Sequence, residues 1–284
     1  MPTGPPACPE PVSQSRETDG RGAPPGYSPG VRLTVVGSAD AFNSAGRGHS
    51  CYVLEHAAGG PVMIDFGATA LAGLRKLGRS PLDLEGLAIT HLHGDHIGAL
   101  PFFFIDALFN ERRHRPFRVV GPVGTRRRLR ALLEVTYGPI ADAELPFELD
   151  LVEVPAGGSA DLAGFRIDAF AADHMDPPEQ PLCLRFDSPE GRRAAFSGDT
   201  AMCTGLLDAA ADVDLLVAEC TGLRHPIGRH CAWEDWVDVL PTLTAGRVLL
   251  THLGAEVRAA AEAGRLQVDG VDLAFADDGR TYEI

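Results

Sequence analysis

Short apolar runs separated by Gly, Ser and Pro recur along the chain from Val31 onwards, and they predict β-strands. The first four runs are VRLTVV, SCYVLE, PVMIDF and LEGLAIT. Apolar residues then recur at helical spacing in GALPFFFIDALF and GTRRRLRALLEVTY. The rest of the chain alternates between predicted strands and predicted helices. The strands are FRVVG, FELDLVEV, FRIDAF, LCLRF, RRAAFS, DLLVAEC, RVLLT, VDLAFA and RTYEI. The helices are MCTGLLDAAA, AWEDWVDVLPTL and AEVRAAAEAG. Both halves begin rich in strands and continue with helices, which predicts an α/β (α+β) fold with two packed sheets and outer helices, a four-layer αββα sandwich.

The first thirty residues have a different composition. Residues 1–30 contain thirteen Pro and Gly and almost no bulky apolar side chains, so ordering them would cost entropy with little burial in return. We therefore expect a disordered N-terminal tail over residues 1–30. The remaining residues, 31–284, are enough for one domain with a substantial core.

Cysteine usage and hydropathy bear on the cellular compartment in which the protein is expected. The six cysteines are Cys8, Cys51, Cys183, Cys203, Cys220 and Cys231. They form no CxxC pair, which disfavours a zinc knuckle or a disulfide framework. No apolar run approaches the roughly 18 residues that a membrane span needs, and no secretion signal is recognisable at the N-terminus. We expect a cytoplasmic protein with no membrane contact.

The charge balance disfavours general nucleic-acid binding, because the formal net charge is -14 and phosphate backbones are held by clustered Lys and Arg. A local exception is the basic stretch of residues 112–130, with eight arginines: Arg112, Arg113, Arg115, Arg118, Arg126, Arg127, Arg128 and Arg130. A solvated helix face and loop is the favoured interpretation of this stretch, and an anion-binding patch is the alternative.

The densest cluster of chemically active side chains is HLHGDH, which begins at His91 directly after the strand LAIT and precedes a helix expected to open at Ile97. On an extended or turning segment, His91 and His93 point the same way and can share one metal ion. Asp95 and His96 would then face a neighbouring ion. Gly94 would let the backbone turn where a Cβ could obstruct the approach. Carboxylate beside imidazole suits Zn²⁺, and Mn²⁺ and Fe²⁺ fit the same donors.

Further potential ligands follow apolar strands downstream. Asp173 and His174 follow FRIDAF, SGDT with Asp199 follows RRAAF, and THLG with His252 follows RVLL. Ends of strands are where α/β proteins gather their sites. The other histidines, His49, His56, His114 and His225, lie outside any ligand pattern.

The ordered motifs HLHGDH, DH, SGDT and THLG resemble the metallo-β-lactamase fold superfamily, and most closely its ribonuclease Z-like branch. The resemblance covers the chain from about Val31 to the C-terminus and is specific for the fold rather than for a substrate. It implies two metal sites with a shared ligand: one ion on His91, His93 and His174, another on Asp95, His96 and His252, with Asp199 bridging. Asp65 recurs in the superfamily as well, and we expect it to support the ligands or the fold.

A second resemblance concerns Glu219 in AECT and the downstream His230, which look like the branch's Glu-bearing strand and additional active-site histidine. The implied role of His230 is proton donation or oxyanion stabilisation, with Glu219 orienting its ring. The alternative of equal weight is a surface histidine near a helix start.

These residues predict a binuclear metal-dependent hydrolase in which two divalent cations generate a bridging hydroxide near neutral pH. The expected catalytic residues are Asp95, Asp199, His230 and Glu219. A phosphodiester or other small anionic substrate is favoured, and the alternative is a lactone, ester or thioester hydrolase, because this fold serves several bonds. A non-hydrolytic metal-binding protein or iron oxidoreductase is the alternative from another class, although iron-based oxygen reductases of this fold use Glu where His93 stands.

The resemblance also bears on partners. Ribonuclease Z enzymes that process tRNA precursors carry a long arm between the third-histidine motif and the bridging aspartate, whereas only 25 positions separate His174 from Asp199. A small-molecule substrate is therefore favoured over tRNA. Dimers are common among similar proteins, and the apolar run PFFFIDALF is interpreted as a buried helix, with a homodimer contact as the alternative.

Overall fold

The structure, a computed structural model, describes residues 30–225 and 228–284. Apart from Gly30, the predicted tail lies outside these residues. The described strands are β1 (Arg32–Gly37), β2 (Cys51–Glu55), β3 (Val62–Ile64), β4 (Gly86–Ala88), β5 (Phe117–Pro122), β6 (Leu149–Val154), β7 (Ser159–Leu162), β8 (Phe165–Ala171), β9 (Leu182–Asp187), β10 (Arg193–Phe196), β11 (Leu215–Glu219), β12 (Arg247–Thr251), β13 (Leu273–Phe275) and β14 (Thr281–Glu283).

The described α-helices are short, and each lies between two strands along the chain. They are α1 (Ala70–Lys76), α2 (Gly94–Ile97), α3 (Leu100–Ile105), α4 (Thr125–Tyr137), α5 (Thr204–Ala210), α6 (Trp233–Val239) and α7 (Ala255–Glu262). Single 3₁₀ turns lie at Ser44–Gly46, Pro81–Asp83, Gly138–Asp142 and Leu240–Thr242, and a π-helical turn at Asp106–Asn110 extends α3. No helix of the described ranges is long and apolar enough to cross a membrane.

Two seven-stranded sheets form the centre of the fold. Their orders are β14-β1-β2-β3-β4-β5-β6 and β13-β12-β11-β10-β9-β8-β7. In the first sheet β1, β2 and β3 pair antiparallel, whereas β3, β4, β5 and β6 run parallel. In the second, β7 to β10 pair antiparallel and β10 to β13 run parallel.

Three apolar layers separate the four structural layers. Leu33, Ile64, Phe186 and Phe196 pack between the sheets. The outer face of the first sheet packs on α1, α3 and α4, and that of the second on α5, α6 and α7 with the fully buried Trp236. Because each sheet buries both faces, the four-layer αββα prediction is confirmed.

Two local predictions were wrong. The helix expected to open at Ile97 begins at Gly94, so Asp95 and His96 lie within the turn α2. The strand β7 was missed, because its sequence SADL is polar at alternate positions and only Leu162 is buried. β7 forms by pairing antiparallel with β8, an interaction that no local pattern records.

Candidate metal centre

The predicted metal ligands lie together at one end of the sandwich. Each comes from a loop that leaves β4, β8, β10 or β12 at its C-terminal end: His91, His93, Asp95, His96, His174, Asp199 and His252. β4 belongs to the parallel part of the first sheet, and β10 and β12 to that of the second. Carboxyl ends of parallel strands meet at one edge, so residues far apart in sequence converge there.

One group of ligand atoms consists of three imidazoles. His91, His93 and His174 each offer a nitrogen, and these atoms lie within 4.8 Å of one another. His93 Nδ1 and His174 Nε2 are 3.0 Å apart. Two nitrogens on one tetrahedral Zn²⁺ would be separated by roughly 3.3 Å, given Zn–N bonds of about 2.0–2.1 Å, so the spacing suits a shared ion.

The second group combines carboxylates and imidazoles. Asp95 Oδ2 lies 3.4 Å from His96 Nε2 and 3.5 Å from His252 Nε2. Asp199 places Oδ1 3.3 Å from His96 Nε2 and Oδ2 3.2 Å from His252 Nε2. All four side chains offer ligand atoms within 4.8 Å of one another.

Asp199 lies between the two groups. Its Oδ2 is 3.8 Å from both His91 Nε2 and His174 Nε2, in addition to its contact with His252. The side chain is 3% exposed, so solvent does not compensate its charge. A carboxylate in this position can contact an ion in either group.

Four of the ligand atoms lack hydrogen-bond partners in the described part of the protein. Among the described residues, the buried atoms His91 Nε2, His96 Nε2, His252 Nε2 and Asp199 Oδ1 have no hydrogen-bond partner. Leaving a buried polar atom unpaired costs about 1–3 kcal/mol, more when the group is charged. Four such atoms converging on one place fit a metal-binding function, because an ion would satisfy all of them.

In several of these rings Nδ1 is held by a defined acceptor, which directs Nε2 towards the candidate metal sites. His91 Nδ1 lies 3.1 Å from Thr90 Oγ1, and that hydroxyl donates to Asp65 Oδ2 at 2.7 Å. The same Asp65 oxygen lies 2.7 Å from His96 Nδ1. His174 Nδ1 donates to the Arg229 carbonyl at 2.9 Å. Such contacts fix the tautomer and orientation of a ligating imidazole.

Asp65 is therefore a specific target for a test of metal affinity. We expect Asp65→Asn to weaken zinc binding by about 10- to 100-fold, because His96 loses a charged acceptor. Asn tolerates the left-handed backbone that Asp65 adopts at φ 58°, so the turn survives. Competition with a chromophoric chelator measures the affinity. Asp83→Asn, an exposed residue of a 3₁₀ turn, is the matched control, and equal zinc affinity in the two variants would contradict the role of Asp65.

A second set of hydrogen bonds connects His252 to the predicted proton donor. His252 Nδ1 donates to Thr221 Oγ1 at 2.8 Å, and Thr221 donates to Glu219 Oε2 at 2.7 Å. Glu219 Oε1 accepts from His230 Nδ1 at 2.8 Å and from the Thr200 amide at 2.7 Å. Glu219 is completely buried, and His230 is half-buried beside His174 and His252. The geometry therefore places His230 beside two candidate ligands, and its catalytic role stays a prediction.

Charges in the site shift several pKa values. Burial opposes ionisation of Asp199, but His252 and His96 outweigh it and hold the pKa well below its usual value. Burial acts to lower the pKa of His252, yet Asp199 and Asp95 raise it to about 9. A ligating imidazole must be deprotonated, so metal binding at His252 is expected to release a proton.

Two further shifts bear on chemistry. Burial lowers the pKa of His91 well below its usual value, helped by His96, which keeps His91 neutral as a ligand must be. Burial also acts to lower the pKa of His230, but the hydrogen bond and charge of Glu219 raise it above its usual value. A raised pKa favours the protonated imidazole, which is the form that can act as a general acid.

Two of the seven described non-glycine residues with a left-handed backbone belong to the ligand network. His252 has φ 52° and Asp65 has φ 58°, a left-handed conformation that residues other than Gly rarely adopt. Such conformations cost on the order of 1–3 kcal/mol each and cluster at functional sites. At both positions the strained residue belongs to the ligand network.

Sequence reasoning missed several supporting residues. Thr90 and Thr221 were within quoted motifs but had no predicted role. The predicted steric role of Gly94 was wrong, because a Cβ there would meet no described atom within 4 Å. The glycine with that role is Gly67, where a Cβ would lie 1.7 Å from the Asp95 carbonyl oxygen.

Two of the remaining histidines, His49 and His56, are buried. His49 lies beside Gly67, and its Nε2 donates to the Ala41 carbonyl at 3.3 Å. His56 donates to the Ala163 carbonyl at 2.8 Å and packs edge-on against the Phe165 ring. Neither belongs to a group of potential ligands among the described residues.

Comparison with known proteins identifies the family. Residues 31–275 match the sequence profile of the family described as Anti-Pycsar protein Apyc1. The match spans well over half of the 284 residues. The chain belongs to that family.

Relatives of this Anti-Pycsar Apyc1 family member include the Mycobacterium tuberculosis protein Rv1339, which is 28% identical over 232 residues, covering 78% of this chain and 81% of the relative. Ribonuclease Z of Aeropyrum pernix is 30% identical over 251 residues, covering 71% of this chain and 79% of the relative. The resemblance to the ribonuclease Z-like branch is confirmed by these relatives.

Solved structures show the same fold. The metallo-β-lactamase fold protein YhfI from Bacillus subtilis has a TM-score of 0.68 at 18% identity, covering 89% of this chain and 99% of that one. A diphosphatase of the PhnP family has a TM-score of 0.71 at 18% identity, covering 89% and 98%. Zn²⁺-bound PqqB from Methylobacterium extorquens has a TM-score of 0.68 at 14% identity, covering 89% and 100%. The Anti-Pycsar Apyc1 family member therefore has a metallo-β-lactamase fold, and hydrolases are among its neighbours.

Proposed function

We propose that this protein is a binuclear metal-dependent hydrolase that cleaves a phosphodiester or another small anionic substrate. The observation that carries the proposal is the convergence of buried, unpartnered imidazole and carboxylate atoms within the described residues. The Ribonuclease Z relatives and the PhnP-family neighbour support a phosphate ester as the bond cleaved.

The two ligand groups define the proposed metal sites. One ion would be held by His91, His93 and His174, the other by Asp95, His96 and His252, and Asp199 would contact both. Two imidazole-rich sites with carboxylate oxygens fit Zn²⁺ best, with Mn²⁺ and Fe²⁺ as alternatives. Divalent cations bound there would lower the pKa of a water molecule and neutralise charge on a phosphoryl oxygen.

The remaining chemistry belongs to side chains. Asp199 faces the space between both groups, so it would orient the attacking water. His230 would donate a proton to the leaving oxygen, because Glu219 fixes its Nδ1 and leaves the opposite nitrogen for the substrate. Thr221 connects the same Glu219 to His252, so one buried carboxylate would position both the acid and a ligand.

A small substrate is proposed over tRNA. Between His174 and Asp199 the chain forms only a loop and the antiparallel pair β9–β10, which is closed by the short turn of residues 188–192. No long arm is present in this segment, all of which the structure describes. The net charge of -14 also disfavours binding to a long polyanion.

The test is a substrate panel on protein loaded with Zn²⁺ or Mn²⁺. We expect turnover of bis(p-nitrophenyl) phosphate and of nucleoside cyclic phosphates, loss of turnover after chelation, and recovery when metal is restored. Turnover of p-nitrophenyl acetate, a lactone or a thioester without phosphodiester cleavage would favour the ester hydrolase instead. No turnover of any substrate by fully metallated protein would refute both and leave a non-hydrolytic metal-binding protein.

A further inference from the structure

The structure assigns different roles to the arginines of residues 112–130. Arg113 is buried, and its guanidinium donates to the carbonyls of Leu82, Leu84, Arg115 and Pro116. The others mostly have acidic partners of their own: Arg115 pairs with Glu85, Arg118 with Asp150, and Arg130 with Glu134 and Asp142. Much of the basic stretch is therefore used within the protein, and Arg113 is buried rather than part of a solvated face.

Arg127 and Arg128 differ, because they share a single carboxylate. Glu179 Oε1 lies 2.9 Å from Arg128 Nη2 and 3.5 Å from Arg127 Nη2. Two guanidinium groups against one carboxylate leave one positive charge uncompensated by these partners. Arg128 is 38% and Arg127 70% exposed, so both remain accessible, and each guanidinium has five N–H donors.

This pair borders the candidate metal centre. Arg128 Nη1 lies 3.4 Å from the carbonyl oxygen of Leu92, the residue between the ligands His91 and His93. Glu179 belongs to the loop that follows the ligand His174. A Cβ on Gly124 would lie within 4 Å of Leu92, Arg127 and Glu179, so the three loops meet at this point.

We propose that Arg127 and Arg128 form an anion subsite, which binds a second phosphate group of the substrate while its scissile phosphodiester lies at the metal centre. This inference rests on the proposed function. Guanidinium groups bind phosphate oxygens through paired N–H donors, and charge-assisted bonds of this kind are stronger than neutral ones. Glu179 competes with an anion for these donors, so removal of its carboxylate would strengthen anion binding. The substrate class is then a phosphodiester with an additional phosphate, rather than a singly charged diester.

The test compares two substrates with the same scissile bond, a nucleoside 2′,3′-cyclic phosphate with and without a 5′-phosphate. We expect the wild-type kcat/KM to be higher for the 5′-phosphorylated substrate. The variant Arg127→Gln/Arg128→Gln should reduce that ratio by about 10-fold, the value of one or two charge-assisted hydrogen bonds. Arg130→Gln, on the same helix but paired with Glu134 and Asp142, is the matched control and should leave the ratio unchanged.

A second variant is expected to change the ratio in the opposite direction. Glu179→Gln removes the shared carboxylate and should raise the ratio, because both guanidinium groups become available. A wild-type ratio near one, or a ratio that the double variant leaves unchanged, would overturn the subsite.

Failure of the proposed function would be seen separately, as absence of turnover for both substrates by metallated wild-type protein. Calorimetry then decides on the subsite, with a nucleoside 3′,5′-bisphosphate and a nucleoside 3′-phosphate as probes. Tighter binding of the bisphosphate that the double variant abolishes would support the subsite. Equal affinities of the wild-type protein for the two probes would overturn it.

Discussion

Replacing Asp199 with Ala is expected to abolish turnover while the sandwich stays folded. Asp199 is the one carboxylate whose oxygens lie within 4 Å of ligand nitrogens from both groups, among the residues that the structure describes. Its removal should therefore weaken the binding of both proposed ions, whereas loss of one imidazole ligand would weaken the binding of one ion. A fall of about 10³-fold or more in kcat/KM is expected, because bridging and orientation of water are lost together.

The measurement pairs activity with metal content and thermal unfolding. Asp199→Ala should bind less metal by elemental analysis and retain the circular dichroism spectrum of the wild type. Asp208→Ala, an exposed aspartate on α5, should behave as the wild type in all three measurements. Full activity of Asp199→Ala would refute the assignment of a bridging ligand.

Local sequence patterns were sufficient to predict the layers and the ligand loops. Apolar runs that end at His91, Asp199 or His252 correspond to β4, β10 and β12, because a buried strand must be apolar on both faces and its end is marked by the first polar residues. The ordered ligand motifs then predicted which loops meet. That inference came from the resemblance to the metallo-β-lactamase fold superfamily. The fold accounts for it at β4, β10 and β12, because the carboxyl ends of parallel strands lie at one edge of a sheet.

The supporting contacts could not be predicted in the same way. Thr221 reaches His252 across 31 positions, and Asp65 reaches His96 across a similar distance. Each contact depends on the relative placement of two loops, which hydrophobic periodicity does not encode. Polar side chains such as Thr221 are equally frequent in ordinary turns, so the residue type carries little signal without the fold. The strand β7 was missed for the related reason that only its pairing with β8 defines it.

Replacement of His230 is the second change with a large expected effect on the rate. The size of that effect should depend on the leaving group of the substrate. A p-nitrophenolate ion is stable without protonation, whereas an alkoxide leaving group requires a proton in the transition state. If His230 donates that proton, His230→Ala should slow cleavage of a nucleoside cyclic phosphate by about 10²-fold or more. The same variant should slow cleavage of bis(p-nitrophenyl) phosphate much less.

This dependence separates proton donation from a purely structural role. Glu219 and Thr221 connect His230 to the ligand His252, so a structural defect would disturb the metal site and slow both substrates alike. Metal content of His230→Ala should equal that of the wild type, and metal loss would instead make His230 a ligand. The matched control is His225→Ala, an exposed histidine that contacts Glu234 and Asp235 and is expected to leave both rates unchanged. Equal slowing of the two substrates with full metal content would assign His230 to stabilisation of charge on the phosphoryl oxygens, because that contribution does not depend on the leaving group.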